Sequence, residues 1–203
     1  MSNKKIVILG AGGHSRVVAD IARLNGYTDI RFLDDINENK FCTIDGKISD
    51  HVQFLDNYDF FVAIGNNEIR KKFFEMLVAN NANIVNLIHP NAVICRDVKI
   101  GKGTAIMAGA VINTNVIIGD GVIVNTSSSI DHDCVIGNYS HVSVGAHIAG
   151  TVNVGECVFI GAGATLINNL SIENNCKIGA GATVITDIKD SGTYVGVPAK
   201  KKK

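Results

Sequence analysis

Two different hydrophobic periods divide the chain near residue 88. Up to that point, short apolar runs alternate with segments of helical spacing, whereas beyond it an aliphatic residue recurs at every sixth position. The stretch "KIVILG" (Lys5–Gly10) is typical of a buried strand, and the apolar residues of Ser15–Gly26 share one helical face. We therefore predict two domains, residues 1–87 and 88–203.

The first domain is predicted to contain a parallel sheet. Further strands are expected at Ile30–Asp35 and Asp59–Asn66, an amphipathic helix at Asn67–Asn81 and a short strand at Asn83–Ile88, while the pattern of Ile36–Tyr58 indicates no element. Strands that alternate with helices favour an α/β arrangement. The predicted fold of residues 1–87 is therefore a Rossmann-like βαβ domain.

The second domain follows a six-residue repeat. From Ile88 to Val184, seventeen positions spaced by six are all Ile, Val or Leu, and the position four residues after each is small or apolar nearly throughout. This is the signature of a parallel β-helix of hexapeptide repeats, in which three hexads close a triangular coil of 18 residues. The aliphatic and small residues should fill the interior, and Gly, Asn and Asp should form the turns, where positive φ costs them little.

Composition excludes several classes of function. The 203 residues carry no formal net charge, so no basic surface indicates nucleic-acid binding. No apolar run approaches the roughly 18–20 residues that span a membrane, and the N-terminus lacks the cleavage region of a signal peptide. The five cysteines form neither a CxxC pair nor a metal-type spacing. We therefore expect a cytoplasmic protein with reduced thiols that binds neither nucleic acid nor membrane.

Three of the six histidines lie in "SSSIDHDCVIGNYSHVSVGAH" (Ser127–His147). Gly150 follows His132 by 18 residues, which places the two side by side in adjacent coils, roughly 4.8 Å apart. A histidine next to an accessible glycine backbone suits a general base beside an N–H donor. Asp131 and Asp133 flank this histidine, and either would orient the imidazole and raise its basicity.

The remaining histidines are interpreted separately. His141 lies half a coil beyond His132 and hence on another face, so we expect it to approach His132 only in a neighbouring subunit of a threefold trimer. His147, His89 and His51 are interpreted as residues without a role in chemistry.

A glycine-rich turn joins the first strand to the first helix in "LGAGGHSRVV" (Leu9–Val18). It is an imperfect dinucleotide fingerprint, because Ser15 stands in place of the third glycine. A strand, a tight turn and a helix N-terminus nevertheless form an anion site. Asp34 and Asp35 end the second strand, about where an acid that binds ribose would stand. Because only half a dinucleotide fold is present, a mononucleotide or the nucleotide end of a nucleotide sugar is the better fit.

The chain resembles a known family over nearly its whole length. The residues that carry the resemblance are "GAGGH" (Gly10–His14), "FLDD" (Phe32–Asp35), "YDFFVAIGNNEIRKK" (Tyr58–Lys72), "NIVNLIHP" (Asn83–Pro90), "NTSS" (Asn125–Ser128), "HDCVIG" (His132–Gly137), "SHVSVGAH" (Ser140–His147) and "YVGVPAK" (Tyr194–Lys200). The chain is similar to the bacterial nucleotide-sugar acetyltransferases typified by UDP-N-acetylbacillosamine N-acetyltransferase, within the sialic-acid O-acetyltransferase group. The resemblance implies a left-handed β-helix, a homotrimer with active sites between subunits, acetyl-CoA as donor and a UDP-4-amino sugar as acceptor, without a metal.

The resemblance also implies roles for individual residues. His132 matches the catalytic base and Asp133 its acidic partner. Contacts to the coenzyme are implied for His141, Gly150, Ala162 and Ala180, of which Gly150 faces the acetyl carbonyl through its backbone. Contacts to the nucleotide sugar are implied for Gly12, Gly13, His14, Asp34, Asp35 and Gly65.

The sequence hypothesis is an acetyl-CoA-dependent N-acetyltransferase that acts on the 4-amino group of a UDP-4-amino-4,6-dideoxy sugar in bacterial glycan biosynthesis. The alternatives within this chemistry are O-acetylation of sialic acid and acylation of a dTDP- or GDP-linked 4-amino sugar. A metal-dependent hydratase of the carbonic anhydrase kind is a rival, because such hexapeptide trimers bind zinc through histidines of adjoining subunits and this chain offers His132, His141 and His147. A scaffold without catalysis is the third hypothesis.

Overall fold

A three-stranded parallel sheet and its helices form the N-terminal part of the molecule. The computed structural model describes residues 4–36 and 42–202. The sheet has the order β2-β1-β3, so the first strand is central. In chain order, the elements are β1 (Lys4–Leu9), α1 (Gly13–Leu24), β2 (Tyr27–Leu33), a 3-10 helix (Ile48–Phe54), β3 (Asp59–Val62) and α2 (Asn67–Ala79).

Strand β1 is apolar on both faces because both faces are covered. Ile6 and Ile8 pack with α1 and with residues of the β-helix, whereas Val7 and Leu9 pack with Phe74 and other residues of α2. A strand covered on both sides has a continuous hydrophobic sequence, as expected for parallel sheets. The N-terminal sheet therefore lies directly against the triangular β-helix of residues 87–184, which we call the prism.

Seventeen short strands build the prism and stack in parallel into three sheets, and two C-terminal strands, the last of them antiparallel, extend the first sheet. The first sheet contains β4 (Leu87–Ile88), β7 (Ala105–Ile106), β10 (Ile123–Val124), β13 (His141–Val142), β16 (Phe159–Ile160) and β19 (Cys176–Ile178), followed by β21 (Gly192–Val195) and β22 (Lys200–Lys201). The second contains β5 (Val93–Ile94), β8 (Val111–Ile112), β11 (Ser129–Ile130), β14 (His147–Ile148), β17 (Thr165–Leu166) and β20 (Thr183–Val184). The third contains β6 (Lys99–Ile100), β9 (Ile117–Ile118), β12 (Val135–Ile136), β15 (Asn153–Val154) and β18 (Ser171–Ile172).

The register of the prism is the predicted one. Ile130 pairs with Ile148 and Val135 with Asn153, so neighbours in adjacent coils are 18 residues apart. The aliphatic positions and the small positions four residues later form one interior cluster. The predicted fold class, a Rossmann-like βαβ domain followed by a parallel β-helix of hexapeptide repeats, is confirmed.

The structure corrects the expected role of the glycines that follow the aliphatic residues. Gly137 is one of them, and a Cβ there would lie 2.5 Å from the carbonyl carbon of Gly155 in the next coil. These glycines allow close approach between coils, because a side chain would collide with backbone. Positive φ occurs two residues further on, where several residues are not glycine, such as Asp133 (φ 58°) and Tyr139 (φ 58°).

The short strand predicted at Asn83–Ile88 is wrong as a single element. Ile84 makes an isolated parallel bridge to Phe60 of the N-terminal sheet, whereas Leu87–Ile88 is already the first strand of the prism. The apolar run spans two packing partners, so its pattern alone could not divide it. Within Ile36–Tyr58, the 3-10 helix is a further element that the pattern did not indicate. Residues 37–41 of that segment lie outside the described residues.

Replacement of an interior residue should be far more costly than replacement of an outward one. Ile136 is fully buried in the middle of the prism. Ile136→Ala should lower the free energy of unfolding by about 2–5 kcal/mol, since the loss of buried methylenes leaves a cavity. Asn153→Ala, at an exposed position of the next strand, should change it by less than about 0.5 kcal/mol. Chemical denaturation measures both, and similar effects of the two variants would contradict the interior assignment.

Candidate active site

One cavity gathers all six residues predicted to contact the nucleotide sugar. It has a volume of about 460 Å³ and lies at the carboxyl ends of the three strands of the N-terminal sheet, the edge where α/β folds bind ligands. Its lining includes Gly12, Gly13, His14, Asp34, Asp35 and Gly65. The structure therefore brings together residues that are up to 53 positions apart in the sequence, which is the spacing of Gly12 and Gly65.

The first helix opens at this cavity without a side-chain cap. Gly12 is its N-cap residue and makes no side-chain hydrogen bond to the first turn, and no acidic residue stands in that turn. The unpaired N–H groups and the positive end of the helix dipole favour an anion at such a position. A phosphate group is the ligand that this geometry suits.

The two aspartates of the cavity also hold its loops. The Oδ2 atom of Asp34 accepts a hydrogen bond from the backbone N–H of Ala11 at 2.6 Å. The Oδ1 atom of Asp35 accepts one from the backbone N–H of Ile48 at 3.1 Å. Each carboxylate retains lone pairs for further donors, such as ribose hydroxyls.

His132 occupies the corner between the second and third sheets, where it forms a pair with Asp133. Its Nδ1 atom lies 2.8 Å from Oδ2 of Asp133, while Oδ1 of Asp133 accepts a hydrogen bond from Asn115 at 2.7 Å. The hydrogen bond between His132 and Asp133, together with the charges of Asp131 and Asp133, holds the pKa of His132 above its ordinary value. With Nδ1 bonded to the carboxylate, Nε2 is the atom left to act as a base.

The flanking aspartates have different functions. The carboxylate of Asp131 accepts a hydrogen bond from the backbone N–H of His132 at 2.7 Å and another from Asn113 at 2.9 Å. It therefore fixes the turn, whereas Asp133 orients the ring. Residue spacing left both possibilities open, the resemblance implied Asp133, and the geometry places Asp133 against the ring.

Gly150 lies directly under the imidazole of His132. A Cβ at this position would be 2.6 Å from both Cε1 and Nε2 of the ring. A side chain at this position would displace the imidazole, because its Cβ would overlap the ring. Within the described part of the chain, the N–H of Gly150 donates to no protein acceptor. A base and a free backbone donor therefore stand side by side.

His141 belongs to a different environment, the junction between the two domains. Its side chain is 7% exposed, its Nε2 atom lies 3.0 Å from the amide nitrogen of Asn125, and its Nδ1 atom is buried without a hydrogen-bond partner. The ring packs edge to face against Phe159. Burial, with the positive charge of Arg70 as a second cause, lowers the pKa of His141 to about 3.

His14 extends this junction into the cavity. Its Nε2 atom is also buried without a partner. Burial and the charge of Arg70 lower the pKa of His14 to about 4. Both imidazoles are therefore neutral at physiological pH and can donate or accept hydrogen bonds to a ligand.

The residues predicted to contact the coenzyme do not share one place in the chain. Ala162 and Ala180 lie at the exposed corner that follows the first sheet, where Gly181 donates its N–H to the carbonyl of Ala162 at 2.9 Å. Gly150 lies at the corner that follows the second sheet, and His141 lies in the first sheet. A ligand that touches all four would need surfaces from more than one face of the prism.

The sequence assigned no role to several further residues of the site. Asn115 contacts Asp133, 18 residues later, and Asn125 contacts His141, 16 residues later. Each pair spans about one coil, and this spacing is the sequence feature that could have indicated both asparagines. Arg70 holds the domain junction, and its signal is a polar residue on the apolar face of a helix, in line with Phe74 and Leu77.

Within one chain, the three histidines that suggested a metal site have different surroundings. His147 bonds to Ser129 through Nδ1 at 2.8 Å on the second sheet. Across residues 4–36 and 42–202, no group of three or more His, Cys, Asp or Glu side chains is arranged to hold a metal ion. In the same part of the chain, no helix has the length and hydrophobicity needed to cross a bilayer.

The chain is a hexapeptide-repeat acyltransferase with an N-terminal Rossmann-like domain. Residues 5–77 match the family described as the PglD N-terminal domain, and residues 151–186 match the bacterial transferase hexapeptide family. The chain is 34% identical over 115 residues to UDP-N-acetylbacillosamine N-acetyltransferase of Bacillus subtilis (strain 168). That match covers 52% of the chain and spans about half (52%) of the Bacillus enzyme.

Two solved structures match nearly the whole chain. The acetyltransferase domain of PglB from Neisseria gonorrhoeae FA1090, in complex with acetyl coenzyme A, is 37% identical, with a TM-score of 0.94 over 99% of this chain and 100% of that one. PerB from Caulobacter crescentus, in complex with CoA and GDP-perosamine, is also 37% identical, with a TM-score of 0.94 over 98% and 97%. The chain belongs to the family of hexapeptide-repeat nucleotide-sugar acetyltransferases that these proteins represent, so the acyltransferase family recognised from the sequence is confirmed.

The buried histidines should make the protein sensitive to mild acid. Between the ordinary imidazole pKa of 6.5 and the pKa of about 4 of His14, the unfolded chain binds more protons than the native protein. The free energy of unfolding should therefore fall as the pH falls through this window, by up to about 1.4 kcal/mol per pH unit for each histidine. Denaturation at pH 7, 6 and 5 measures this slope.

Matched variants identify the groups responsible for the slope. His141→Asn should reduce it, because one buried titrating group is removed. His147→Asn, which changes an exposed histidine, should keep the full slope. An unchanged slope in His141→Asn would contradict the assignment of this histidine as a buried neutral group.

Proposed function

We propose that the protein transfers the acetyl group of acetyl-CoA to the 4-amino group of a UDP-4-amino-4,6-dideoxy sugar. The observation that carries the proposal is the His132–Asp133 pair over Gly150, which places a base with raised pKa beside a free backbone N–H. The similarity to the Bacillus enzyme, whose name gives a UDP-linked substrate, supports the choice of acceptor. The GDP-perosamine held by PerB keeps a GDP-linked amino sugar as the alternative.

The proposed chemistry needs one base and one oxyanion donor. The sugar amine attacks the thioester carbonyl carbon, and Nε2 of His132 accepts the proton that the amine nitrogen loses. The N–H of Gly150 stabilises the negative oxygen of the tetrahedral adduct. The C–S bond then breaks, and His132 returns its proton to the departing thiolate. The amide product and free CoA balance the reaction.

The cavity of the N-terminal domain serves as the site for the nucleotide sugar. The uncapped N-terminus of α1 accommodates the diphosphate, and Asp34 and Asp35 accept hydrogen bonds from hydroxyl groups. The neutral imidazole of His14 can donate to the ligand or accept from it. The coenzyme lies between neighbouring copies of the prism, where different faces bring together His141, Gly150, Ala162 and Ala180.

We further propose a homotrimer with the active sites between subunits. In one chain, His132 lies at the corner between the second and third sheets, whereas the nucleotide cavity lies against the first. A second copy would supply His132 to the cavity of the first. Large apolar side chains exposed on the prism surface support this assembly, among them Ile117 at 42% and Val144 at 48%.

Turnover with defined acceptors tests the proposal. The purified protein should acetylate UDP-4-amino-4,6-dideoxy-N-acetylglucosamine with a higher kcat/KM than the dTDP- and GDP-linked 4-amino sugars or CMP-sialic acid, as measured by thiol release from acetyl-CoA. His132→Ala should lower kcat by about 10²–10⁴-fold, the usual contribution of a general base. Preference for sialic acid would overturn N-acetylation, and preference for another nucleotide would overturn only the nucleotide assignment.

The acidic partner should set the pH dependence of the rate. Loss of the Asp133 charge in Asp133→Asn should lower the pKa of His132, because the hydrogen bond to that carboxylate is the main cause of the raised value. The base acts in its neutral form, so the acidic limb of the kcat/KM profile should move to lower pH.

Asp131→Asn is the matched control, since its carboxylate binds the backbone and not the ring. It should move the limb less than Asp133→Asn does. An equal or larger shift with Asp131→Asn would contradict the pairing of His132 with Asp133.

A further inference from the structure

Among residues 4–36 and 42–202, Arg70 is the largest fully buried side chain, and it carries a charge. It lies on α2, is 1% exposed and points into the junction between the N-terminal domain and the prism. Burial lowers its pKa to about 10, so it remains protonated at neutral pH. A buried cation is costly unless its donors are paired.

Its donors are paired with backbone carbonyls on both sides of the junction. Nε donates to the carbonyl of Gly121 at 2.7 Å, and Nη2 donates to that of Tyr139 at 2.6 Å, so the guanidinium bridges two consecutive coils. Nη1 donates to the carbonyls of Ile64 at 2.9 Å and Gly65 at 3.2 Å in the loop before α2. One planar group therefore fixes a loop of one domain to two turns of the other.

Only arginine has this set of donors. The guanidinium supplies five N–H groups in a fixed fork, whereas lysine supplies three from one point. Within the described residues, no carboxylate forms an ion pair with Arg70. Its contacts are thus set by geometry, and a lysine of equal charge cannot reproduce them.

The backbone carbonyls that Arg70 contacts belong to residues in or next to the candidate active site. Gly65 lines the nucleotide cavity and also a second cavity of about 260 Å³ beside Phe159, so it forms the rim shared by both. On the other side, Nη2 also lies 3.4 Å from the carbonyl of Ser140, the residue before His141. The guanidinium thereby connects the rim of the nucleotide cavity to the strand that carries His141.

We propose that Arg70 is a positioning residue for acyl transfer: its guanidinium fixes the Gly65 rim of the nucleotide cavity relative to His141 on the prism. This inference rests on the proposed function for its kinetic consequences. The geometric part, the fixed relation between Gly65 and His141, stands independently of the substrate.

Arg70→Lys tests the proposal because the charge is kept and the fork is lost. We expect KM for the nucleotide sugar to rise and kcat to fall, with kcat/KM lower by about 10–10²-fold, since a misplacement of 1 Å can cost about 10²-fold. The imidazole NMR signals of His141, assigned by their absence in His141→Asn, should shift. A thermal melt shows that the assays are made on folded protein.

Lys71→Gln is the matched control at the same interface. Lys71 forms an ion pair with Glu156 and lies over the ring of Tyr139, so its loss also weakens the contact between helix and prism, but it holds neither Gly65 nor His141. This variant should melt at a lower temperature with KM, kcat and the His141 signals unchanged. If Arg70→Lys also showed only a lower melting temperature, Arg70 would be merely structural and the proposal would be wrong.

A second variant decides the case in which Arg70→Lys does not fold. Asn67→Ala removes the side-chain oxygen that accepts from Nη2 of Arg70 at 2.8 Å, and it should shift the His141 signals in the same direction by a smaller amount. Unchanged His141 signals in this variant would overturn the proposal. If the wild-type protein acetylated no amino sugar, the proposed function would fail, while the NMR comparison would still decide the role of Arg70.

Discussion

The 18-residue register of the prism is the constraint on which the rest of the molecule depends. Every outward side chain has its neighbours one coil above and one coil below, at positions that the sequence spacing determines. The same register places Gly150 under His132 and Asn115 beside Asp133. Because the coils approach too closely for a Cβ at many glycines, a shift of one residue would destroy both the core and this pair.

The outward-facing residues of the first sheet, which pair from coil to coil, both pack against the N-terminal domain and carry a histidine of the candidate site. Leu87, Ala105 and Ile123 are successive members of this set and pack against the N-terminal domain. His141 and Phe159 are the next two members. The part of the first sheet that the N-terminal domain covers therefore ends at His141. This histidine is buried at the edge of the apolar interface, beside His14. The regular repeat thereby places the imidazole of His141 at the junction between the domains without any interruption of the coil.

Burial and neighbouring charges shift the pKa values of the histidines in opposite directions. His132 is exposed and bonded to a carboxylate, so its pKa is raised, whereas His14 and His141 are buried near the Arg70 cation, so their pKa values are lowered. Two kinds of imidazole, one suited to proton transfer and one suited to neutral hydrogen bonding, therefore occur in one protein. The guanidinium contributes to this contrast from a position where backbone carbonyls and the side-chain oxygen of Asn67 accept its hydrogen bonds.

The sequence by itself determined the prism, because a strict repeat converts spacing into contacts: the interior residues and the pairing of His132 with Gly150 follow from steps of six and eighteen. It also indicated the glycine turn and the acidic strand end that line the cavity of the N-terminal domain. The spacing of the residues left open which aspartate orients His132, since both neighbours are equally close along the chain; the resemblance pointed to Asp133, and the tertiary structure shows the contact. The tertiary structure alone placed Arg70 and His141 at the junction, because the docking of two domains depends on packing between residues distant in sequence, which no local pattern encodes.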